Sequence, residues 1–135
     1  MKYLSILFST FLLFACSSNS DTYTLSGKAM GFEDGTKIIV SEVINNQPKA
    51  IDTLVVQSES FIGEYTNSEV LTLNLLQVED INSTILYFPE NINLKATIFK
   101  DSIKSSFVRG GTQNDSYREF TNQLKRFNKI KSEKA

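Results

Sequence analysis

The chain contains no histidine and a single cysteine among its 135 residues. Without histidine there is no Ser-His or Cys-His nucleophile pair. The commonest general base and the imidazole ligands of zinc and iron sites are missing too. With one cysteine, Cys16, neither an intramolecular disulfide nor a Cys-x-x-Cys redox or zinc pair can form. No Gly-rich phosphate loop is present, and no Asp-x-Asp-x-Asp-Gly calcium loop occurs. Charge of one sign is also lacking. The net formal charge is -1, becoming about -2 if Lys2 is removed, which gives no electrostatic reason to expect nucleic acid. No cofactor and no metal are therefore expected, and most enzyme mechanisms are disfavoured.

What is present begins with an address. Met1-Lys2 is a short positive segment, and Tyr3 to Phe14 is an apolar run broken only by Ser5, Ser9 and Thr10. As a helix those twelve residues rise about 18 Å, short of the ~30 Å hydrocarbon core. The run fits the apolar region of a signal peptide. Leu13-Phe14-Ala15-Cys16-Ser17-Ser18 follows and resembles the lipobox of bacterial lipoproteins. Residues 1–15 are expected to be removed as a lipoprotein signal peptide. Cys16 is expected to carry a palmitate-type acyl lipid. Residues 16–22 are a small, polar tether. This places the protein in the cell envelope, lipid-anchored to the inner or outer membrane and facing the periplasm. No second apolar run of spanning length follows.

From Tyr23 onward, short apolar stretches alternate with turn signals about every ten residues. That is the pattern of an antiparallel β-sandwich or partly open barrel of seven or eight strands, over residues 23–110. Expected strands are Tyr23–Ala29, Lys37–Val43, Ala50–Val56, Ser60–Tyr65, Val70–Val78, Thr84–Phe88, Asn91–Phe99 and a short Phe107–Val108. Gly31 to Gly35 and Asn45-Asn46-Gln47-Pro48 read as turns. Gly110-Gly111-Thr112 reads as a strand-to-helix turn. Thr112 with Asp115 reads as a capping box opening a helix over residues 111–132. Tyr117, Phe120, Leu124, Phe127 and Ile130 recur at threes and fours, one apolar helix face, and are expected to be core, with the helix packed on the sheet or equally docked on a partner or on a domain this chain lacks. Lys125 to Lys134 reads as the solvated face of the same helix.

Carboxylates remain as candidate chemistry. Glu33, Asp34, Asp52, Glu59, Glu64 and Glu79 are available to a two-carboxylate hydrolase, but no spacing singles out a pair. Asp52 lies inside an apolar strand, where an inward carboxylate needs hydrogen-bond partners. Otherwise it points outward or bonds a turn. Asp52, Tyr65 and Tyr87 are the candidate ligand or partner contacts; the two tyrosines would line a groove on the sheet face opposite the helix.

Several local motifs join into a resemblance. They are Leu25-Ser26-Gly27-Lys28, Asp34-Gly35-Thr36-Lys37-Ile38, Ile51-Asp52-Thr53 with Ser60-Phe61-Ile62-Gly63, Tyr87 to Ile92, and Val108-Arg109-Gly110-Gly111-Thr112-Gln113-Asn114. Together, over Tyr23 to Leu124, the chain resembles the N-terminal domain of unknown function of Bacteroidota thioredoxin-like lipoproteins, thiol-disulfide oxidoreductases of the AhpC/TSA type. Asn91 stands where that family has glycine, and one glycine is extra in the last motif. In the family this domain precedes a Cys-x-x-Cys thioredoxin domain. The present sequence stops at Ala135, so the resemblance implies location and architecture without the redox activity. The expected function is a non-catalytic envelope lipoprotein whose β-domain binds a ligand or partner, either an envelope protein or a thioredoxin-like one. The alternative is a truncated or stand-alone N-terminal domain of a thiol-disulfide oxidoreductase.

Overall fold

A computed structural model describes residues 21–134. The expected signal peptide and Cys16 lie outside the described residues. Eight strands precede one helix: β1 (Thr22–Met30), β2 (Lys37–Ile44), β3 (Gln47–Val55), β4 (Ser60–Thr66), β5 (Asn74–Val78), β6 (Thr84–Tyr87), β7 (Leu94–Phe99), β8 (Phe107–Arg109) and α1 (Gly111–Glu133). They form two four-stranded sheets, ordered β4-β1-β7-β8 and β3-β2-β5-β6. The sheets do not close into a barrel; the fold is a β-sandwich with a C-terminal helix.

Alternation built the strands as expected. In β1, Tyr23, Leu25 and Ala29 are buried while their neighbours face outward. In β5, Asn74, Leu76 and Val78 are buried. Apart from Asn74, these side chains and their counterparts from the other strands form one continuous apolar core between the sheets. Gly27 takes the inward position between Leu25 and Ala29. A side chain there would strike the Ala96 carbonyl oxygen and the Phe61 ring, so glycine allows β1 to lie against both.

The pairing is not wholly antiparallel. β1 pairs with β7 in parallel, Leu25 opposite Leu94 and Met30 opposite Phe99. The chain crosses to the second sheet for β2 and β3, returns for β4 antiparallel to β1, crosses again for β5 and β6, and comes back as β7 on the other side of β1, parallel to it. The other corrections are local. The β2–β3 turn is only Asn45-Asn46, both left-handed at φ 51° and 61°, as a two-residue hairpin with the twist of its strands requires. Gln47 and Pro48 already belong to β3. Proline is tolerated there because β3 is an edge strand and needs no amide donor on its open side. Residues 70–73 and 91–93 lie in loops rather than at the head of β5 and β7.

The connections fall at two ends. The start of β1, the ends of β4 and β6, the start of β7 and the start of α1 share one end. There the Asn67 amide donates to the Asp21 carbonyl at 2.8 Å, pinning the chain where it enters the sandwich. The 31–36, 56–59, 79–83 and 100–106 connections occupy the opposite end.

Candidate functional site

The helix begins with a cap that sequence spacing did not reveal. No side chain of the first turn caps it; Gly110 is the N-cap residue. Glu90, from the β6–β7 loop, accepts instead from the Gln113 amide at 3.0 Å and the Asn114 amide at 3.3 Å. The expected Thr112–Asp115 capping box is therefore not formed. Asp115 only reaches the Gly110 amide at 3.5 Å. A carboxylate at a helix N-terminus satisfies free N–H groups and meets the positive end of the helix dipole. Gly111, at φ 79°, makes room: any side chain there would collide with the Glu90 carboxylate.

Asn114 is the one helix residue that is buried. Its Oδ1 accepts from the Phe88 amide at 2.8 Å, and its Nδ2 donates to the Phe88 carbonyl at 2.7 Å and the Gly110 carbonyl at 2.8 Å. The side-chain amide thus continues β6 as a partner strand would. Asn91 does the same at a loop, accepting from the Ser68 amide at 2.9 Å and donating to the Ser68 carbonyl. Asn91 itself sits at φ 58°, a left-handed conformation that asparagine tolerates better than most residues.

From that anchor α1 runs along the edge where β8 and β6 approach each other. Between helix and edge is a cleft of about 540 Å³. Ile85, Leu86, Ile103, Phe107, Val108 and Leu124 give it an apolar floor, and its charged lining residues are Lys104, Arg118 and Lys125. Lys125 Nζ donates to the Lys104 carbonyl at 3.2 Å, and the Arg118 guanidinium lies 3.7 Å from the centre of the Phe107 ring. No carboxylate lines the cleft, so the acid-base pair of a glycosidase is not built there.

The helix face expected to be core is not core. Phe120 is 60% exposed, Phe127 63% and Ile130 53%; Tyr117 and Leu124 are exposed as well. Tyr117 meets the sandwich edge-on at Phe88, ring centroids 6.2 Å apart. The reason is geometric. Asn114 sets which side of the helix faces the sandwich; Phe120, Phe127 and Ile130 turn away from that side, while Tyr117 and Leu124 lie at its border and line the cleft.

The other candidate residues gather elsewhere. Tyr65 donates its hydroxyl proton to Asp52 Oδ2 at 2.9 Å, and Asp52 Oδ1 accepts from the Thr53 amide at 2.8 Å. Asp52 is therefore half-buried and partnered. Tyr65 stacks obliquely on Tyr23, ring centroids 5.6 Å apart. Tyr87, the other expected groove residue, is fully buried in the core, its hydroxyl accepting from Asn74 Nδ2 at 3.2 Å. The structure brings Asp52 and Tyr65 together, but as an internal polar cluster rather than in a groove. Asp34 and Glu59 hold turns, accepting from the Ser58 amide at 2.7 Å and the Gly31 amide at 2.8 Å. Among the described residues, no group of three or more Asp, Glu, His or Cys is placed to hold a metal ion.

Burial pushes the Tyr23 hydroxyl up to about 12, with the nearby Glu42 charge adding to it. Burial also raises Tyr65, reinforced by its bond to Asp52. It raises Tyr87 as well, although the bond from Asn74 opposes the shift. Each phenol is thus protonated more firmly in the folded than in the unfolded chain. The stability this confers is complete below pH 10 and is lost as pH rises from 10 through 12 and beyond. An ultraviolet titration should show Tyr23, Tyr65 and Tyr87 failing to ionise near pH 10, then ionising together with loss of the fold.

In comparisons with protein-family models, with curated proteins and with solved structures, nothing matches this chain.

Proposed function

We propose that the chain is a non-catalytic cell-envelope lipoprotein whose β-sandwich binds a partner protein through α1 and the adjoining cleft. The observation that carries this is the uncovered apolar stripe of α1. A 23-residue helix holds one buried residue and leaves two phenylalanines and an isoleucine more than half exposed, flanked by a partly exposed leucine and tyrosine. Exposed contiguous apolar surface of this kind marks interaction sites, with aromatics as the usual anchors. The stripe borders a cleft whose lining charges are all positive, so the partner that fits offers apolar side chains with carboxylates beside them. The lipobox around Cys16 supports the envelope location and the anchor.

The test places a photo-crosslinking phenylalanine analogue at Phe127 and, as a control, at Lys129, which is exposed on another side of the helix and does not line the cleft. A discrete adduct from position 127, absent from position 129 and lost on adding Phe120→Ser, is the expected result. An adduct with a thioredoxin-like protein would favour the redox-associated reading of the family resemblance. Equal diffuse labelling from both positions would sink the interaction-helix reading.

A further inference from the structure

We infer that the end of the sandwich where β1 begins docks on the lipid bilayer, with Val70, Leu71 and Ile92 inserted at the headgroup level; the inference rests on the lipoprotein reading of Cys16.

The two ends of the sandwich differ in chemistry. At the β1 end, the loops present Val70 at 68% exposure, Leu71 at 54% and Ile92 at 44%. The two loops are tied together by the paired bonds between Asn91 and Ser68, and the Val70 amide donates to Ser68 Oγ at 3.1 Å. The three side chains therefore belong to one loop cluster. At the opposite end, the loops present Glu33, Asp34, Glu79, Asp80, Lys100 and Asp101 to solvent. None of the large exposed hydrophobics among the described residues lies in those loops.

Chain length identifies the occupant of the apolar end. Asp21 is held beside Asn67, next to the Ser68–Leu71 loop, and five steps separate it from Cys16. Those steps span at most about 17 Å fully extended, whereas β1 alone is about 30 Å long. A lipid on Cys16 therefore keeps the β1 end near the membrane surface, and that is the end whose loops are apolar. Asp21 and Glu69 are exposed at the same end, so attraction to anionic headgroups is not the driving force. Docking should be insensitive to salt and to lipid charge. With the β1 end down, α1, which starts at that end, points away from the membrane.

The chain has no tryptophan, so an introduced one is a sole reporter. The test uses the full lipidated chain carrying Leu71→Trp, or Glu79→Trp at the opposite end, in phosphatidylcholine vesicles with and without phosphatidylglycerol. Both side chains are solvent-exposed, so folding does not depend on them. The expected result for position 71 is blue-shifted emission, strong quenching by lipids brominated in the upper acyl chain, and several-fold weaker quenching by acrylamide than at position 79. The two vesicle types should agree. Aqueous emission at position 71, with the mass of the chain showing lipid on Cys16, would overturn the docking and leave the anchor standing. Shielding without bromolipid quenching would point to a second copy at this end and also overturn it. A mass showing no lipid on Cys16 would remove both readings.

Discussion

Replacing Asn114 with leucine should lower the stability of the sandwich by about 3 kcal/mol, because several buried hydrogen bonds are lost and Phe88 keeps its unsatisfied groups. The size is close to that of asparagine, so the loss is not a cavity. It comes from the Phe88 amide and carbonyl, which Asn114 bonds at 2.8 and 2.7 Å, and from the Gly110 carbonyl at 2.8 Å. For a domain of this length the midpoint should fall by roughly 10–20 °C, read by circular dichroism on heating and by urea unfolding. Asn114→Asp separates the causes. It keeps an acceptor for the Phe88 amide, loses both donated bonds, and sets a carboxylate where Nδ2 now lies 3.4 Å from Glu90 Oε2. The like charge raises the folded pKa of the new carboxyl above its unfolded value. Its penalty is therefore full at neutral pH and is relieved as pH falls toward about 4. A leucine variant within experimental error of the parent would show that α1 is held by something other than this amide.

Asn114 also marks where sequence reading stopped. The strands were legible because alternation has period two and one face of each sheet is core. Leu25 and Ala29, or Leu94, Ala96 and Ile98, fall inward for that reason. The helix was legible because Tyr117 to Ile130 recur with its period. Period shows that a helix has an apolar face, not that anything covers it, and here the sandwich does not. Which side of α1 meets the sandwich is decided by one asparagine and a distant glutamate, Glu90. Neither has a periodic signal, since both act across more than twenty residues. Tyr87 misled for a related reason. In sequence its ring is a candidate for a groove, but its strand partner Asn74 is buried opposite it and satisfies its hydroxyl. A buried tyrosine with an internal partner looks, in sequence, like an exposed one.

Cys16→Ala should abolish incorporation of labelled palmitate and leave a precursor that still carries residues 1–15, since the lipobox loses the group that is both acylated and cut beside. Replacing residues 1–16 with an ordinary cleavable export signal should then release the sandwich in soluble form. Both follow from the arithmetic of attachment. Each buried methylene contributes about 0.8 kcal/mol, and one acyl chain alone holds a protein only marginally. The apolar loop end supplies a second, weaker attachment of the kind stable anchoring needs. Val70, Leu71 and Ile92 are partly covered already, and immersing what remains of them is worth about 3–5 kcal/mol in total. That corresponds to roughly millimolar binding. In the proposed arrangement the lipid supplies most of the attachment and the loops orient the domain, so the two variants separate the roles. Soluble sandwich should show no stable binding to vesicles, while the lipidated parent should remain with them through flotation. Palmitate label persisting in Cys16→Ala, or a parent chain that never takes the label, would sink the anchor. Firm vesicle binding by the lipid-free sandwich would instead assign the holding role to the protein surface.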